Sequence, residues 1–159
     1  MLINVRTEKT YNKVIDSKIT RDGNYTDTLA FKIPLETDIR IEDVIQVISP
    51  KVKEKYRVRE IVNKQDYKDV FCKHVFFDSE KIVIDNFSNQ GRDNNLESLV
   101  RFLNDKLNSK RFSGNSFKFN TNTNVGGVVN YTQAVTLFDM IFKEKGIIDT
   151  YNCEVQYHD

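Results

Sequence analysis

From residue 14 to residue 34 the sequence alternates between apolar and polar side chains, breaks once at Asp22-Gly23-Asn24, and stops at Pro34. Successive side chains on an extended backbone point to opposite faces, so this pattern calls for a half-buried β-sheet and excludes an amphipathic helix. In the first run Ile15, Ser17 and Ile19 share a face. In the second, Tyr25, Asp27, Leu29, Phe31 and Ile33 share one face while Thr26, Thr28, Ala30 and Lys32 take the other. Asp22-Gly23 between the runs predicts a tight hairpin, because glycine accepts positive φ at little cost. Pro34 has no backbone donor and predicts the end of the strand.

The rest of the front half repeats the theme. Residues 2–5 form a short apolar opening, and residues 41–48 (IEDVIQVI) predict a strand ending before Pro50. Residues 56–63 (YRVREIVN) and 69–77 (DVFCKHVFF) flank the turn-like Asn63-Lys64-Gln65-Asp66 and predict a second hairpin. Residues 81–87 (KIVIDNF) predict another short β segment. Beyond Ser88 the period changes. After a polar loop (SNQGRDNN, residues 88–95), Leu96, Leu99, Val100, Leu103 and Leu107 fall at helical spacing on one stripe. Asn94 is the expected cap, with Glu97 in capping-box position.

Ser113-Gly114-Asn115 predicts the break, Phe117-Lys118-Phe119 a short strand, and residues 120–130 a polar loop. A second helix is expected from Thr132 to Lys145, with Ala134, Val135, Phe138, Ile141 and Phe142 on its stripe and Gly146 as its C-terminal glycine. The final run places Tyr151, Cys153, Val155 and Tyr157 on one strand face. The fold class expected is α+β: an antiparallel β-barrel or sandwich-like domain over residues 1–87, then an α+β subdomain over residues 88–159 with two amphipathic helices. Ending on a strand, that subdomain reads as incomplete at its C-terminus.

Charge narrows the function classes. Lys and Arg number 24 against 23 Asp and Glu, a net charge of +1. This argues against a dedicated nucleic-acid or membrane-surface protein, which would carry a basic excess. No apolar run approaches the roughly 18 residues of a membrane span, and the start lacks the basic-then-apolar pattern of a secretory signal. Cys72 and Cys153 lie far apart with no C-x-x-C, which predicts two buried thiols rather than a disulfide or a zinc site.

No catalytic signature stands out. The chain has no dinucleotide or Walker glycine loop, no H-E-x-x-H and no G-x-S-x-G. Gly126-Gly127 reads as a turn. Cys72 and His74, two apart on one strand, would share a face about 7 Å apart, too far for a nucleophile and its base. Asp78, Asp85 and Asp93 match no calcium loop and read as solvated loop carboxylates. The sharpest local pattern is basic: Lys51, Lys53, Lys55, Arg57 and Arg59 alternate along one extended segment. They form a candidate partner-contact face, or a solvated strand face that discourages edge pairing. The interleaved Glu54 and Glu60 favour the solvated face.

Three segments in order carry a resemblance: DGNYTDTLAFKIP (residues 22–34), YRVREIVNK (56–64) and CKHVFFD (72–78). The two helices and the closing DTYNCEVQYHD (149–159) follow in matching order. This arrangement resembles the N-terminal region of phage tail-tip hub proteins of the tail-associated lysin, or prophage endopeptidase tail, family. Two departures stand out: Cys72 replaces a small residue, and family members are several hundred residues long.

The resemblance implies a structural component of the virion tail tip, made in the bacterial host cytoplasm. Its partners would be itself, as a homotrimer in the assembled tail, the distal tail protein and the tape measure protein. No small-molecule substrate, cofactor, metal, membrane or sequence-specific nucleic acid is implied. No enzymatic activity is expected, since cell-wall hydrolysis in such proteins belongs to a C-terminal domain. Tyr25, Phe31, His74 and Asp78 match the family pattern and are expected to be structural. Competing readings are a carbohydrate-binding or adhesin-type β module, whose exposed aromatics such as Tyr131 and Tyr151 would stack on sugars, and a small hydrolase using Asp and His.

Overall fold

The computed structural model describes residues 1–22, 26–50, 52–91, 94–109 and 118–154, with the backbone alone for Asp22, Val52, Asn108 and Ser109. The chain is α+β: a seven-stranded antiparallel half-barrel sheet, then a C-terminal region with helices. It divides into two compact units, Met1–Val75 and Phe76–Tyr157.

In the first unit the strands are β1 (Leu2–Asn4), β2 (Lys9–Tyr11), β3 (Ile15–Asp22), β4 (Thr26–Pro34), β5 (Val44–Ser49), β6 (Val52–Asn63) and β7 (Tyr67–His74). Their order across the sheet is β2-β1-β5-β6-β7-β4-β3. Chain neighbours pair as hairpins in β1–β2, β3–β4, β5–β6 and β6–β7. Two ladders join distant segments, β1 with β5 and β4 with β7. The alternation of β4 is realised residue by residue: Asp27, Leu29, Phe31 and Ile33 are buried, the residues between them half-buried, and Pro34 ends the strand. β7 follows the same rule, with Val70, Cys72 and His74 inward and Phe71 and Lys73 exposed. Together with Ile45, Tyr56 and Val58, the inward Leu29, Phe31, Ile33, Val70 and Cys72 build one core.

Two bulges shift the expected phase. Ile15 pairs with Lys32 but Lys18 pairs with Ala30, so β3 carries one extra residue, and Asp16 takes φ 49° there. An extra residue turns the side chains before it to the other face. Ile15 is therefore 52% exposed, whereas Ile19 packs on the core. In β6, Val58 pairs with Cys72 and Glu60 with Phe71. The bulge at Arg59 brings Ile61 to the core in place of Glu60. The hairpin glycine, Gly23, lies outside the described residues, but the ladder leading to it closes at Asp22↔Thr26.

Other expected boundaries move for local reasons. The strand expected from Ile41 begins at Val44, because Glu42 turns with φ 72° and the Asp43 carboxylate accepts from the Arg40 amide. The strand expected to run through Phe77 stops at His74 and becomes a 3-10 helix, Val75–Lys81. Residues 75–79 are all buried. A strand buries alternate residues against one side, whereas a tight helical turn can bury such a run.

The second unit holds β8 (Val83–Ile84), β9 (Phe87–Ser88), α1 (Leu96–Ser109), β10 (Asn130–Tyr131), β11 (Val135–Thr136), α2 (Leu137–Phe142) and α3 (Ile147–Tyr151). The α1 stripe stands: Leu96, Leu99 and Leu103 are buried, Val100 and Leu107 half-buried against the same core. Its cap is Asn95, not Asn94; Asn95 Oδ1 accepts from the Ser98 amide at 2.8 Å. The strand expected at residues 117–119 is absent over its described part. The Asn104 side chain instead brackets the Phe119 backbone, donating at 2.9 Å and accepting at 2.7 Å.

The expected helix from Thr132 begins at Leu137. Val135 and Thr136 pair with Ile84 and Val83 as a strand, and Thr136 Oγ1 caps α2 by accepting from the Asp139 amide at 3.0 Å. Tyr151 lies in α3 rather than in a closing strand, and Asn152 ends that helix with φ 48°. Residues 155–159 of the expected strand lie outside the described residues. Gly146 does not supply the left-handed residue; Lys145 does, with φ 59°. Gly146 is required by space: a Cβ there would stand 2.6 Å from the Lys143 carbonyl oxygen and 2.8 Å from that of Met140.

Leu29→Ala, which empties a fully buried site, is expected to lower the unfolding free energy by about 2–5 kcal/mol in urea melts. Gly146→Ala is expected to cost about 1–3 kcal/mol, since the obstructing atoms are backbone.

Candidate functional site

The basic segment of β6 is the first candidate. Lys53 is exposed, Lys55 and Arg59 half-buried and Arg57 buried; Lys51 lies outside the described residues. The four described cations leave the face opposite Tyr56 and Val58, as the alternation requires. They do not form a row of open charges. Arg57 Nη1 donates to the Glu42 carbonyl at 2.9 Å and its Nε stands 3.7 Å from the Glu42 carboxylate. Arg59 Nη1 donates to the same carboxylate at 3.0 Å. The turn that shortens β5 thus places Glu42 between two arginines. An acidic ligand would have to compete with an internal carboxylate for half of the described face.

The family-motif residues are interior. Phe31 is buried in the half-barrel core, 6.3 Å between ring centroids from Tyr11. His74 is buried and meets the Tyr56 ring edge-on at 5.4 Å. Asp78 is fully buried in the 3-10 helix and is not the solvated loop carboxylate expected. Asp85 is exposed, while Tyr25 and Asp93 lie outside the described residues. Cys72 and His74 share the inward face of β7, and burial pushes the Cys72 thiol far above its ordinary value, against a nucleophilic role. Cys72 and Cys153 are both free thiols; Cys72 is buried, as expected, and Cys153 only half-buried.

A polar arrangement of four side chains carries no sequence motif. At one end of the half-barrel, Tyr56 Oη lies 2.9 Å from Asp27 Oδ1 and 2.8 Å from Glu54 Oε2. Arg21 pairs with Glu54, stands 3.5 Å from Asp27 Oδ2, and reaches Tyr56 Oη at 3.4 Å. Burial raises the Asp27 carboxyl above its ordinary value, opposed by the Tyr56 hydrogen bond and the Arg21 charge. Burial also lifts the Tyr56 phenol. The sequence did carry a signal: Asp27 occupies the apolar phase of the alternating run. A carboxylate in that phase must find partners or hold its proton.

A second cluster clasps the N-terminus. The buried Asp43 carboxylate accepts from Arg6 Nε at 2.6 Å, Arg6 Nη2 at 3.0 Å, Asn4 Nδ2 at 2.8 Å and the Arg40 amide at 3.0 Å. Burial pushes this carboxyl upward, but those donors outweigh it and its pKa lies below the ordinary value. Near this cluster a groove of about 420 Å³ is lined by Lys9, Tyr11, Lys13, Pro34, Glu36 and Asp38 among others. Its cations and carboxylates are mixed, so its charge selects no ligand class.

No family model, curated protein or solved structure matches the chain.

Asp43 has a depressed folded pKa, so its contribution is complete above the ordinary aspartate value of about 3.9 and is lost as the pH falls through the folded value. Urea melts from about pH 5 downward are expected to show this loss. Asp43→Asn is expected to flatten it.

Proposed function

We propose that this chain is a structural component of a bacteriophage or prophage tail tip, part of the baseplate hub that closes the tail tube and couples to the wall-penetrating device. The observation that carries the reading is where the motif segments fall. Residues 26–34 of the first are β4, residues 56–63 of the second lie in β6, and residues 72–74 of the third end β7. These three strands lie side by side as β6-β7-β4, none of them at an edge of the sheet. The motif residues Phe31, His74 and Asp78 are buried. Residues shared for packing belong inside, whereas residues shared for binding or chemistry reach a surface. The resemblance is thus of the kind that specifies a scaffold.

In this reading the chain works by assembly and breaks no bond itself. It would sit in a homotrimeric ring, a closed symmetry in which one patch serves every contact. The distal tail protein would lie above it, and the tape measure protein would pass through the channel. Among the described residues the sheet ends on two edge strands, β2 and β3, and the eight residues of β3 pair with β4 alone. Such edges suit a protein whose remaining burial comes from copies and neighbours.

The test is to locate the protein in particles released from the host that carries the gene. Immunogold labelling is expected at the distal tip of the tail, with three copies per particle by quantitative mass spectrometry. Protein found only in the soluble lysate, with clean particles, would refute the proposal. So would clearing of cell-wall suspensions by the purified chain that His74→Ala or Asp78→Ala abolishes.

A further inference from the structure

The Arg21–Asp27–Glu54–Tyr56 arrangement contains more acceptors than its hydrogens serve. The two contacts of Tyr56 Oη, 2.9 Å to Asp27 and 2.8 Å to Glu54, are both O–H···O separations, and each needs a hydrogen between its oxygens. A phenol brings one, and an ionised carboxylate brings none. Arg21 Nη2, at 3.4 Å from the phenol oxygen, places no hydrogen between that oxygen and either carboxyl. With both carboxyls ionised, one contact would press two acceptor oxygens together out of water, which is costly.

The surroundings decide which carboxyl takes the second hydrogen. Glu54 pairs directly with the Arg21 guanidinium, which stands nearer to it than to Asp27. Asp27 is 1% exposed, and its Oδ2 has no hydrogen-bond partner among the described residues, with Arg21 Nε at 3.5 Å. The desolvation that lifts the Asp27 carboxyl acts in the same direction. From β7, His74 faces the group through its edge-on contact with the Tyr56 ring. Lys53, Lys55 and Lys73 leave their strands on the opposite face.

We propose that Asp27 and Glu54 share one acid proton across Tyr56, with Asp27 carrying it, so that this end of the half-barrel is a proton-operated clasp. In the closed form the Asp27 O–H donates to Tyr56 Oη, and the Tyr56 O–H donates to Glu54, held by Arg21. β4 and β6 are not neighbours in the sheet, since β7 lies between them. The clasp therefore spans the concave side and holds the curl, and Arg21 extends it to the edge strand β3. As the pH rises the Asp27 proton passes to solvent. The phenol hydrogen then serves one carboxylate at a time, and the strap from β4 to β6 loosens. An acid that holds its proton more tightly when folded contributes stability that is complete at low pH and is lost as the pH rises through the folded midpoint. The proposal is independent of the tail-tip reading.

Carbon NMR of the labelled protein tests it by following the Asp27 side-chain carboxyl across pH, with His74 tracked separately in the same samples. The Asp27 midpoint is expected above that of aspartate in the urea-unfolded chain, with a matching inflection in the Tyr56 ring signals. A midpoint at or below the unfolded value overturns the proposal. Asp27→Asn presents an amide N–H to Tyr56 at every pH. After correction for intrinsic exchange, its β3–β4 amides are expected to keep constant protection where those of the unsubstituted chain lose it. An equal decline in both also overturns the proposal. The carboxyl titration of the unsubstituted chain decides the matter even where Asp27→Asn fails to fold.

Discussion

The ladder between β4 and β7 is the contact on which the rest of the first unit depends. It runs in seven register pairs from Thr28↔Lys73 to Pro34↔Tyr67 and joins segments on either side of β5 and β6. Local hairpins alone would leave three separate pieces, β1–β2, β3–β4 and β5–β6–β7. Joining them costs the entropy of closing a long loop, and the reward is the common apolar face of Leu29, Phe31, Val70 and Cys72. A slip of one residue would turn either Leu29 and Phe31 or Val70 and Cys72 outward, so the core and the register specify each other.

Two buried carboxylates of the first unit, Asp43 and Asp27, meet the cost of burial in opposite ways. Asp43 gathers donors from Arg6, Asn4 and Arg40 and is held ionised. Asp27 meets a phenol, a second carboxylate and a distant guanidinium, and burial shifts it toward its neutral form. The difference is one of donors within reach: four hydrogen bonds converge on Asp43, whereas Asp27 Oδ1 meets the Tyr56 hydroxyl alone among the described residues. One cluster ties the N-terminus to the start of β5, and the other ties β3 and β4 to β6 across the curl of the sheet.

Particular elements show how much could be read beforehand. The strands β3, β4, β6 and β7, the two hairpins they form and the α1 stripe follow from side-chain period, because period depends only on backbone geometry. By contrast, β2 and the β1–β2 and β5–β6 hairpins were not legible. The bulges at Asp16 and Arg59 break that period with no distinctive residue type, so Ile15 and Ile61 face ways the pattern does not announce. The helix expected over residues 132–145 starts only at Leu137 for a similar reason. Val135 suits strand and helix alike, and pairing with Ile84 decided it. The candidate site was half legible. The β6 cations were visible as a pattern, whereas the turn that delivers Glu42 to Arg57 and Arg59 was not.

What the chain determined by itself is the alternation that makes β4 and β7 two-faced and the stripe that makes α1 amphipathic, since both arise within one element. Tertiary structure decided which faces meet, where strands give way to turns, and which charges become partners. Arg21, Asp27, Glu54 and Tyr56 come from three strands, and their shared hydrogen bonds exist only once the sheet has curled. Side-chain period is a local property of the backbone, whereas an acceptor's supply of hydrogens is a property of a place in space.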